Sequence, residues 1–294
     1  MSESRTPRTP PTPRALLTAA TRRLAAAGVS SPEHDAAELL AHVHGVERKD
    51  LFRVDTVPSE LAERFDRLVE RRSAREPLQH LTGAAYFRHV ELDVGPGVFV
   101  PRPETELLAG WAIDAALAVA SSAGRAPVVV DLCTGSGAIA KAVAHEVPDA
   151  VVHAVELDES AHHWAERNLA GTGVDLRHGD MADAFDDLLG TVDVVVCNPP
   201  YIPLEAWESV APEARDHDPH LALFSGDDGL VAMRVLADHA AVLLRLGGVV
   251  GAEHADAQGE SAPAVFRATG RWTEVADHRD LAGRPRFTTA RLAR

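Results

Sequence analysis

The chain has 294 residues, 46% hydrophobic and 25% charged, which is an ordinary globular composition; its length is a prior for two domains with a sizeable core and no need of disulfide or metal staples. Lysine and arginine total 29 and aspartate and glutamate total 44, giving a formal net charge of −15, which speaks against a broad electrostatic grip on nucleic acid or on an anionic membrane. The two cysteines, Cys133 and Cys197, exclude a disulfide scaffold and a multi-thiolate zinc site.

Residues 1–13 are rich in proline, threonine and arginine and are expected to be disordered. They lack the apolar stretch of a secretory signal. No run of about 18 apolar residues follows, so no membrane-spanning helix is expected. The implied setting is cytoplasmic, with reduced thiols.

Residues 14–76 read as a small helical domain. Leu16, Leu17, Ala20, Leu24 and Ala27 recur at three-and-four spacing, and Gly28 is placed to end that helix. Ser31 and Pro32 look like an N-cap followed by proline at the first helical position. Ala36, Leu39, Leu40 and Val43 continue a second helix, and Leu61, Phe65, Leu68 and Val69 mark another. Residues 77–100 change character. Tyr86, Phe87, Val90, Leu92 and Val94 sit among His89, Glu91 and Asp93, the alternation of a strand or hairpin, and Gly95, Pro96 and Gly97 punctuate it. This stretch is expected to bridge two domains.

Residues 101–294 form the second domain. From Val128 onward, strands alternate with helices. Strands are expected at Val128–Leu132, 151–157, Val192–Cys197 and 248–252, and helices at 138–145, Glu159–Leu169 and 230–244. The strands are nearly continuous apolar runs, as in sheets covered on both faces. The expected fold is α/β, a Rossmann-like, mostly parallel doubly wound sheet. Residues 272–277 and 286–291 add a C-terminal antiparallel pair across a turn at 280–284.

The first of these strands runs into Cys133, Thr134, Gly135, Ser136 and Gly137 and then a helix. That geometry presents backbone N–H groups to a ligand, and the glycines let the ligand approach closely. Glu156 ends the next strand, 21 residues after Gly135, where a carboxylate can accept both hydroxyls of a ribose. Asp180 and Met181 follow a third strand, at the position that flanks an adenine ring in this architecture. Together these describe a nucleoside site. They do not separate a dinucleotide from S-adenosylmethionine: Ala140 stands where the dinucleotide fingerprint often has its third glycine, but alanine is tolerated there.

Strand Val192–Cys197 ends in Asn198, Pro199, Pro200 and Tyr201, the most specific signal in the chain. Two consecutive prolines stop the strand and stiffen the turn. The Asn198 side-chain oxygen and a neighbouring backbone carbonyl can each accept one hydrogen of an –NH₂ group. Such a nitrogen has its lone pair delocalised into a carbonyl or a ring and is a poor nucleophile. Two acceptors aimed at its hydrogens stabilise the positive charge that develops as it attacks a methyl sulfonium. Tyr201 offers a flat face to the planar acceptor.

These residues resemble those of class I S-adenosylmethionine-dependent methyltransferases. Three further segments, Arg75 to Gly83, Tyr86-Phe87 and Val100 to Glu106, make the chain similar to the PrmC/HemK family of protein-(glutamine-N5) methyltransferases, from about residue 14 to about residue 291. The resemblance implies methylation of the glutamine in the Gly-Gly-Gln motif of class 1 peptide chain release factors, with S-adenosyl-L-methionine consumed, S-adenosyl-L-homocysteine released and no metal. It implies a cofactor site of Cys133, Thr134, Gly135, Ser136, Gly137, Glu156, Asp180, Met181 and Asn198. The glutamine amide would meet Asn198, Pro199, Pro200 and Tyr201, with Asn198, Pro199 and Tyr201 catalytic. Residues 14–76 would recognise the protein substrate. A monomer is expected, with no direct nucleic-acid or membrane partner. Cys133 departs from the family pattern, where glycine is frequent, and Met181 stands where an aromatic residue often lies.

Arg102 and Glu104 read either as an interdomain ion pair or as active-site groups, and the long connection 202–228 as a cover over the acceptor. His217 and His220 within it lack the setting of a metal site. Two other functions use parts of the same pattern. A DNA or RNA exocyclic-amine methyltransferase of the adenine-N6 type shares the Asn-Pro-Pro-Tyr turn, but the net charge of −15 counts against it. A dehydrogenase or a non-catalytic protein shares the fold.

Overall fold

The computed structural model describes residues 11–293. The expected disordered tail, 1–13, lies outside the described residues except at its end, where the Thr12 side chain accepts from the Ala15 N–H and caps the first helix. The chain divides after Gly83 into two compact units.

The first unit is helical: α1 (Pro13–Ala26), α2 (Pro32–His44), α3 (Ser59–Ser73) and α4 (Leu78–Thr82). Leu24, Leu39, Leu40, Val57 and Phe65 form its core. Gly28 follows α1 in the left-handed region at φ +74°, as the sequence suggests. Ser31 occupies the N-cap of α2, but its side chain makes no capping hydrogen bond, and Pro32 supplies the stiffness of the first turn. A buried ion pair joins Arg72 to Asp35 at 2.7 Å, tying α3 to α2.

The second unit opens with an antiparallel hairpin, β1 (Ala84–Phe87) and β2 (Val90–Asp93). There follow α5 (Thr105–Ala123), β3 (Val128–Leu132), α6 (Ala138–Glu146), β4 (Val151–Glu156), α7 (Glu159–Leu169), β5 (Asp175–His178) and β6 (Val192–Cys197). After β6 come two short helices, α8 (Pro212–His217) and α9 (His220–Leu223), then α10 (Val231–Leu243), β7 (Leu244–Glu253), α11 (Ser261–Ala268), β8 (Trp272–Arg279) and β9 (Pro285–Leu292). The sheet has seven strands in the order β5-β4-β3-β6-β7-β9-β8. β3 to β7 run parallel, and β9 is antiparallel to both β7 and β8.

Side chains along the central strands alternate between two cores. Val129, Val194 and Val196 pack with α5, α6 and α7 on one face. Val130, Leu132, Val195 and Cys197 pack with α10 and α11 on the other. This two-sided burial is what makes β3 and β6 unbroken apolar runs. The strand order reverses between β3 and β6, and ligands bind open α/β sheets beyond the C-terminal ends of the strands at such a reversal.

Among the elements given no range from the sequence are β5, α5 and α11, although a strand before Asp180 is expected. β5 is Asp-Leu-Arg-His at the sheet edge, too polar and too short to stand out. α5 is so rich in alanine that it shows little periodicity. By length and composition α5 is also apolar enough to cross a membrane, although Glu106 and Asp114 break its apolar run. Its residues Leu108, Ala109, Ala112, Ile113 and Ala116 are buried in the core of the second unit. α11 is only eight residues long and carries Pro263.

Candidate active site

The turn after β3 is built by backbone conformation. Cys133, Gly135 and Gly137 all have positive φ, at +62°, +59° and +85°. Glycine adopts that region without strain and cysteine does not, so Cys133 holds a strained backbone. A Cβ on Gly135 would meet nothing within 4 Å, whereas one on Gly137 would press on the Leu169 side chain at 3.0 Å. Gly135 therefore faces open space and Gly137 faces a packed helix.

Two carboxyl groups hold this turn. Asp131, the polar residue of β3, is buried and accepts from the Thr134 hydroxyl at 2.6 Å and the Ala140 N–H at 3.2 Å. Burial pushes its pKa up to about 7. Glu156 accepts the Gly135 N–H at 2.8 Å on one oxygen and the Asp158 N–H at 2.9 Å on the other. The Leu157 backbone N–H also favours the carboxylate, and the lone-pair capacity that remains can accept from hydroxyls of a ligand such as a ribose. Burial raises the pKa of Glu156, and these backbone donors oppose the rise.

A cavity of about 300 Å³ opens over the turn. Cys133, Thr134, Gly135 and Ser136 line it from β3, and Glu156, Asp180 and Met181 from the ends of β4 and β5. Asn198, Pro200 and Tyr201 line it from the end of β6. Gly137 and Pro199 are not on its surface. Cys133 and Met181 bring their sulfurs to 3.4 Å and pack against each other. An adenosyl group with a charged amino-acid tail suits a cavity with an acid at one wall and exposed backbone at another.

The corner after β6 is held at several points. The Tyr201 hydroxyl donates to Glu253 Oε1 at 3.2 Å, and Gln258 Nε2 donates to the Tyr201 carbonyl at 3.1 Å. Asn198 Nδ2 donates to the Thr105 hydroxyl oxygen at 3.4 Å. Glu253, fully buried at the end of β7, has its pKa raised to about 7 by burial. Burial and the neighbouring Glu253 push the Tyr201 phenol well above its ordinary range, so it stays a donor. Tyr201 is thus an anchored wall of the cavity.

Arg102 also lines the cavity. Its ion pair runs to Asp218 at 2.7 Å, within the second unit, and its guanidinium lies 4.7 Å from the centroid of the Phe99 ring. Burial raises Asp218 to about 6 against the pull of Arg102. The connection 202–228 is folded rather than open: α8, α9 and a bridge between Ile202 and Phe224 give it structure, and Ala214, Pro219 and Leu221 face the cavity. His220 meets Trp207 edge to face, with ring centroids 4.8 Å apart. Among the described residues no cluster of His, Cys, Asp and Glu is placed to hold a metal ion.

Sequence reasoning missed Thr105, Asp131, Asp218, Glu253 and Gln258. Asp131 and Glu253 do leave a trace, since each is a lone acid in an apolar strand, where a buried charge needs a reason.

Comparison with known proteins decides the family. The chain is 60% identical over 275 residues to the release factor glutamine methyltransferase of Streptomyces coelicolor, covering 93% of this chain and 96% of that one. The chain belongs to the release factor glutamine methyltransferase family. A family member from Mycolicibacterium smegmatis is 47% identical, over 96% of this chain and 98% of its own. The PrmC N-terminal domain family matches residues 15–83, and the methyltransferase small domain family matches residues 112–213. A further relative in Streptomyces pristinaespiralis, 44% identical over 90% of both chains, is a 4-amino-L-phenylalanine/4-methylamino-L-phenylalanine methyltransferase. Among solved structures, the hMettl16 catalytic domain in complex with the MAT2A 3′UTR hairpin 6 matches with a TM-score of 0.54, at 14% identity, over 69% of this chain and 74% of that one. That likeness concerns the fold alone. As a member of this release factor glutamine methyltransferase family, the chain is an S-adenosylmethionine-dependent enzyme.

Proposed function

We propose that this chain transfers the methyl group of S-adenosylmethionine to the side-chain amide nitrogen of the glutamine in the Gly-Gly-Gln motif of class 1 peptide chain release factors. The observation that carries the reading is the Asn198–Pro199–Pro200–Tyr201 corner, anchored through Thr105, Glu253 and Gln258 at the wall of a cavity that also exposes Glu156. The 60% identity to a release factor glutamine methyltransferase supports the acceptor.

When bound, S-adenosylmethionine supplies an electrophilic methyl group; the rest falls to the chain. Glu156 accepts hydroxyl hydrogens and orients the nucleoside. Thr134, Gly135 and Ser136 offer backbone at close range. Asn198 Oδ1 and a neighbouring backbone carbonyl take the two hydrogens of the glutamine amide. They align its nitrogen and stabilise the charge that grows there. No strong general base is required, because a methylated amide cation is very acidic and gives its proton to water. From segment 202–228, the apolar side chains of Ile202, Ala214, Pro219, Leu221 and Leu223 line the cavity and limit water on the acceptor side.

The helical unit carries none of these groups, and we assign it to docking the body of the release factor. We expect a monomer, acting in the cytoplasm where translation terminates. An arylamine acceptor, as the Streptomyces pristinaespiralis name describes, is the second reading, because that relative is also similar over 90% of its length. An adenine amine in DNA or RNA is disfavoured by the net charge of −15. Incubation with labelled S-adenosylmethionine and purified release factors, followed by mapping of the label, tests the assignment. Label on the Gly-Gly-Gln glutamine is expected. Label on 4-amino-L-phenylalanine with none on release factors would overturn it.

A further inference from the structure

Asn198 has a carboxamide with two nearly isosteric ends. One end accepts hydrogen bonds and the other donates them. An acceptor amide presents its –NH₂ group to the corner, so only the orientation with Asn198 Oδ1 forward is productive. With Nδ2 forward, two donors would face each other. Something must choose between these orientations.

The choice is made behind the corner. Asn198 Nδ2 points back to the Thr105 hydroxyl at 3.4 Å. Thr105 begins α5 and is buried, and Glu253 has no exposure at all. β6 and β7 are adjacent and parallel, with Cys197 opposite Ala252, so Asn198 and Glu253 are the next residues along the same pair. The Thr105 hydroxyl lies beside the Glu253 carboxyl and favours its ionised form. Glu253 Oε1 is engaged by the Tyr201 hydroxyl, and Oε2 is buried with no hydrogen-bond partner, so it is free to accept the proton of the neighbouring Thr105 rotor. A threonine hydroxyl is a rotor with one proton and two lone pairs. An ionised carboxylate accepts only, so it draws the Thr105 proton to itself. The lone pairs left on Thr105 can then meet only a donor, which is Asn198 Nδ2.

We propose that Thr105 and Glu253 are positioning residues for methyl transfer: the Glu253 carboxylate orients the Thr105 hydroxyl, and that hydroxyl holds the Asn198 carboxamide with its oxygen toward the acceptor amide. This rests on the reading that Asn198 binds the acceptor. Protonation of Glu253 removes the selection, because its own O–H can then donate to Thr105 and free the Thr105 proton to face Asn198. The charged and titratable groups around Glu253 are Arg286, which favours the carboxylate, Glu104, which opposes it, and the Tyr201 phenol. Arg286 is shared with Asp280 at 3.2 Å. Glu253 therefore changes charge near neutral pH, with its pKa at about 7.

The test uses the intact chain, a purified release factor and four variants. Thr105→Val and Glu253→Gln both preserve shape: Thr105→Val removes the orienting hydroxyl, and Glu253→Gln replaces the acceptor-only carboxylate with a group that can also donate to Thr105. Each is expected to lower kcat by at least about tenfold, while the Kd for S-adenosylmethionine, read by calorimetry, stays within about twofold. Thr105→Ser restores the hydroxyl and is expected to recover kcat to within about threefold of the parent. Glu253→Gln is further expected to flatten the parent's rise in kcat between about pH 6 and about pH 8. The inference is overturned if Thr105→Val and Glu253→Gln both keep kcat, or if Thr105→Ser loses as much as Thr105→Val. Asn198→Ala separates the two levels of the argument. If that variant retains full turnover, the acceptor assignment fails and this inference with it. If it is inactive while Thr105→Val and Glu253→Gln are normal, only this inference fails.

Discussion

A Cβ on Gly229 would stand 2.3 Å from the Tyr201 carbonyl oxygen, closer than any side chain can approach. Gly229 also sits at φ +71°, where L side chains are strained. Gln258 closes the arrangement by donating to both the Tyr201 and Gly229 carbonyls, at 3.1 and 3.3 Å. The bare backbone of Gly229 thus lets the start of α10 pack against the acceptor corner. Gly229→Ala should push the Tyr201 backbone away. We expect a stability loss of roughly 1–2 kcal/mol from the φ strain alone. A fall in kcat of at least about tenfold should follow from misplacing the corner. Thermal unfolding and steady-state kinetics on a release factor check both parts. A variant with normal kcat would show that the corner tolerates displacement.

Glu156 accepts one backbone N–H on each oxygen, at 2.8 and 2.9 Å. Glu156→Gln turns one of those oxygens into a donor facing a backbone donor, and it removes an acceptor from the nucleoside hydroxyls. Losing a hydrogen bond to a charged acceptor is worth about 1.5–3 kcal/mol, so S-adenosylmethionine should bind at least about tenfold more weakly. Calorimetric titration measures this directly. Unchanged affinity would remove Glu156 from the cofactor site.

How much of this was legible in the sequence depended on whether the signal was local. β3, β6 and α7 match their expected ranges because continuous burial or helical spacing is written into the residues themselves. β5 escaped because an edge strand with Asp175, Arg177 and His178 has no apolar run to report. The glycine turn and the Asn-Pro-Pro-Tyr corner were visible as motifs, since backbone conformation dictates their composition. Their partners were not. Tyr201 meets Glu253 from 52 residues away and Arg102 meets Asp218 from 116 away. Only the strand order and the folding of the 202–228 connection bring those groups together. The reading of Arg102 as partner to Glu104 followed sequence proximity, and the ion pair that forms runs to Asp218.

Cys133 sits at φ +62° and touches the Met181 sulfur at 3.4 Å. Cys133→Gly would relieve a left-handed backbone worth roughly 1–2 kcal/mol. It would also give up the packing of one small apolar side chain, worth about 1 kcal/mol. The two effects nearly cancel, so stability should change by less than about 1 kcal/mol. The Kd for S-adenosylmethionine should stay within about threefold, because the backbone path of the turn is retained. Chemical denaturation and calorimetry test this. A large loss of affinity would mean that the thiol itself contacts the cofactor.

Asp218 is buried; the Arg102 side chain pairs with it at 2.7 Å, and the Val100 backbone N–H also favours its carboxylate. Burial lifts its pKa from 3.8 to about 6, and Arg102 holds it from rising further. A carboxyl raised in the folded state binds its proton more tightly there than in the unfolded chain. It therefore withdraws stability as pH climbs from about 4 to about 6, and the loss levels off above that. Arg102→Ala should raise the folded pKa again and extend the losing window upward. At about pH 5 Asp218 is protonated in both proteins, and the substitution should cost little beyond lost packing on Phe99. At about pH 8 the parent carries a paired carboxylate, while the variant must bury an unpaired one or keep it protonated. The variant should then be weaker by about 2 kcal/mol more than at the lower pH. Urea denaturation of both proteins at the two pH values measures the difference. An equal stability loss at both would mean that Asp218 does not depend on Arg102 for its charge.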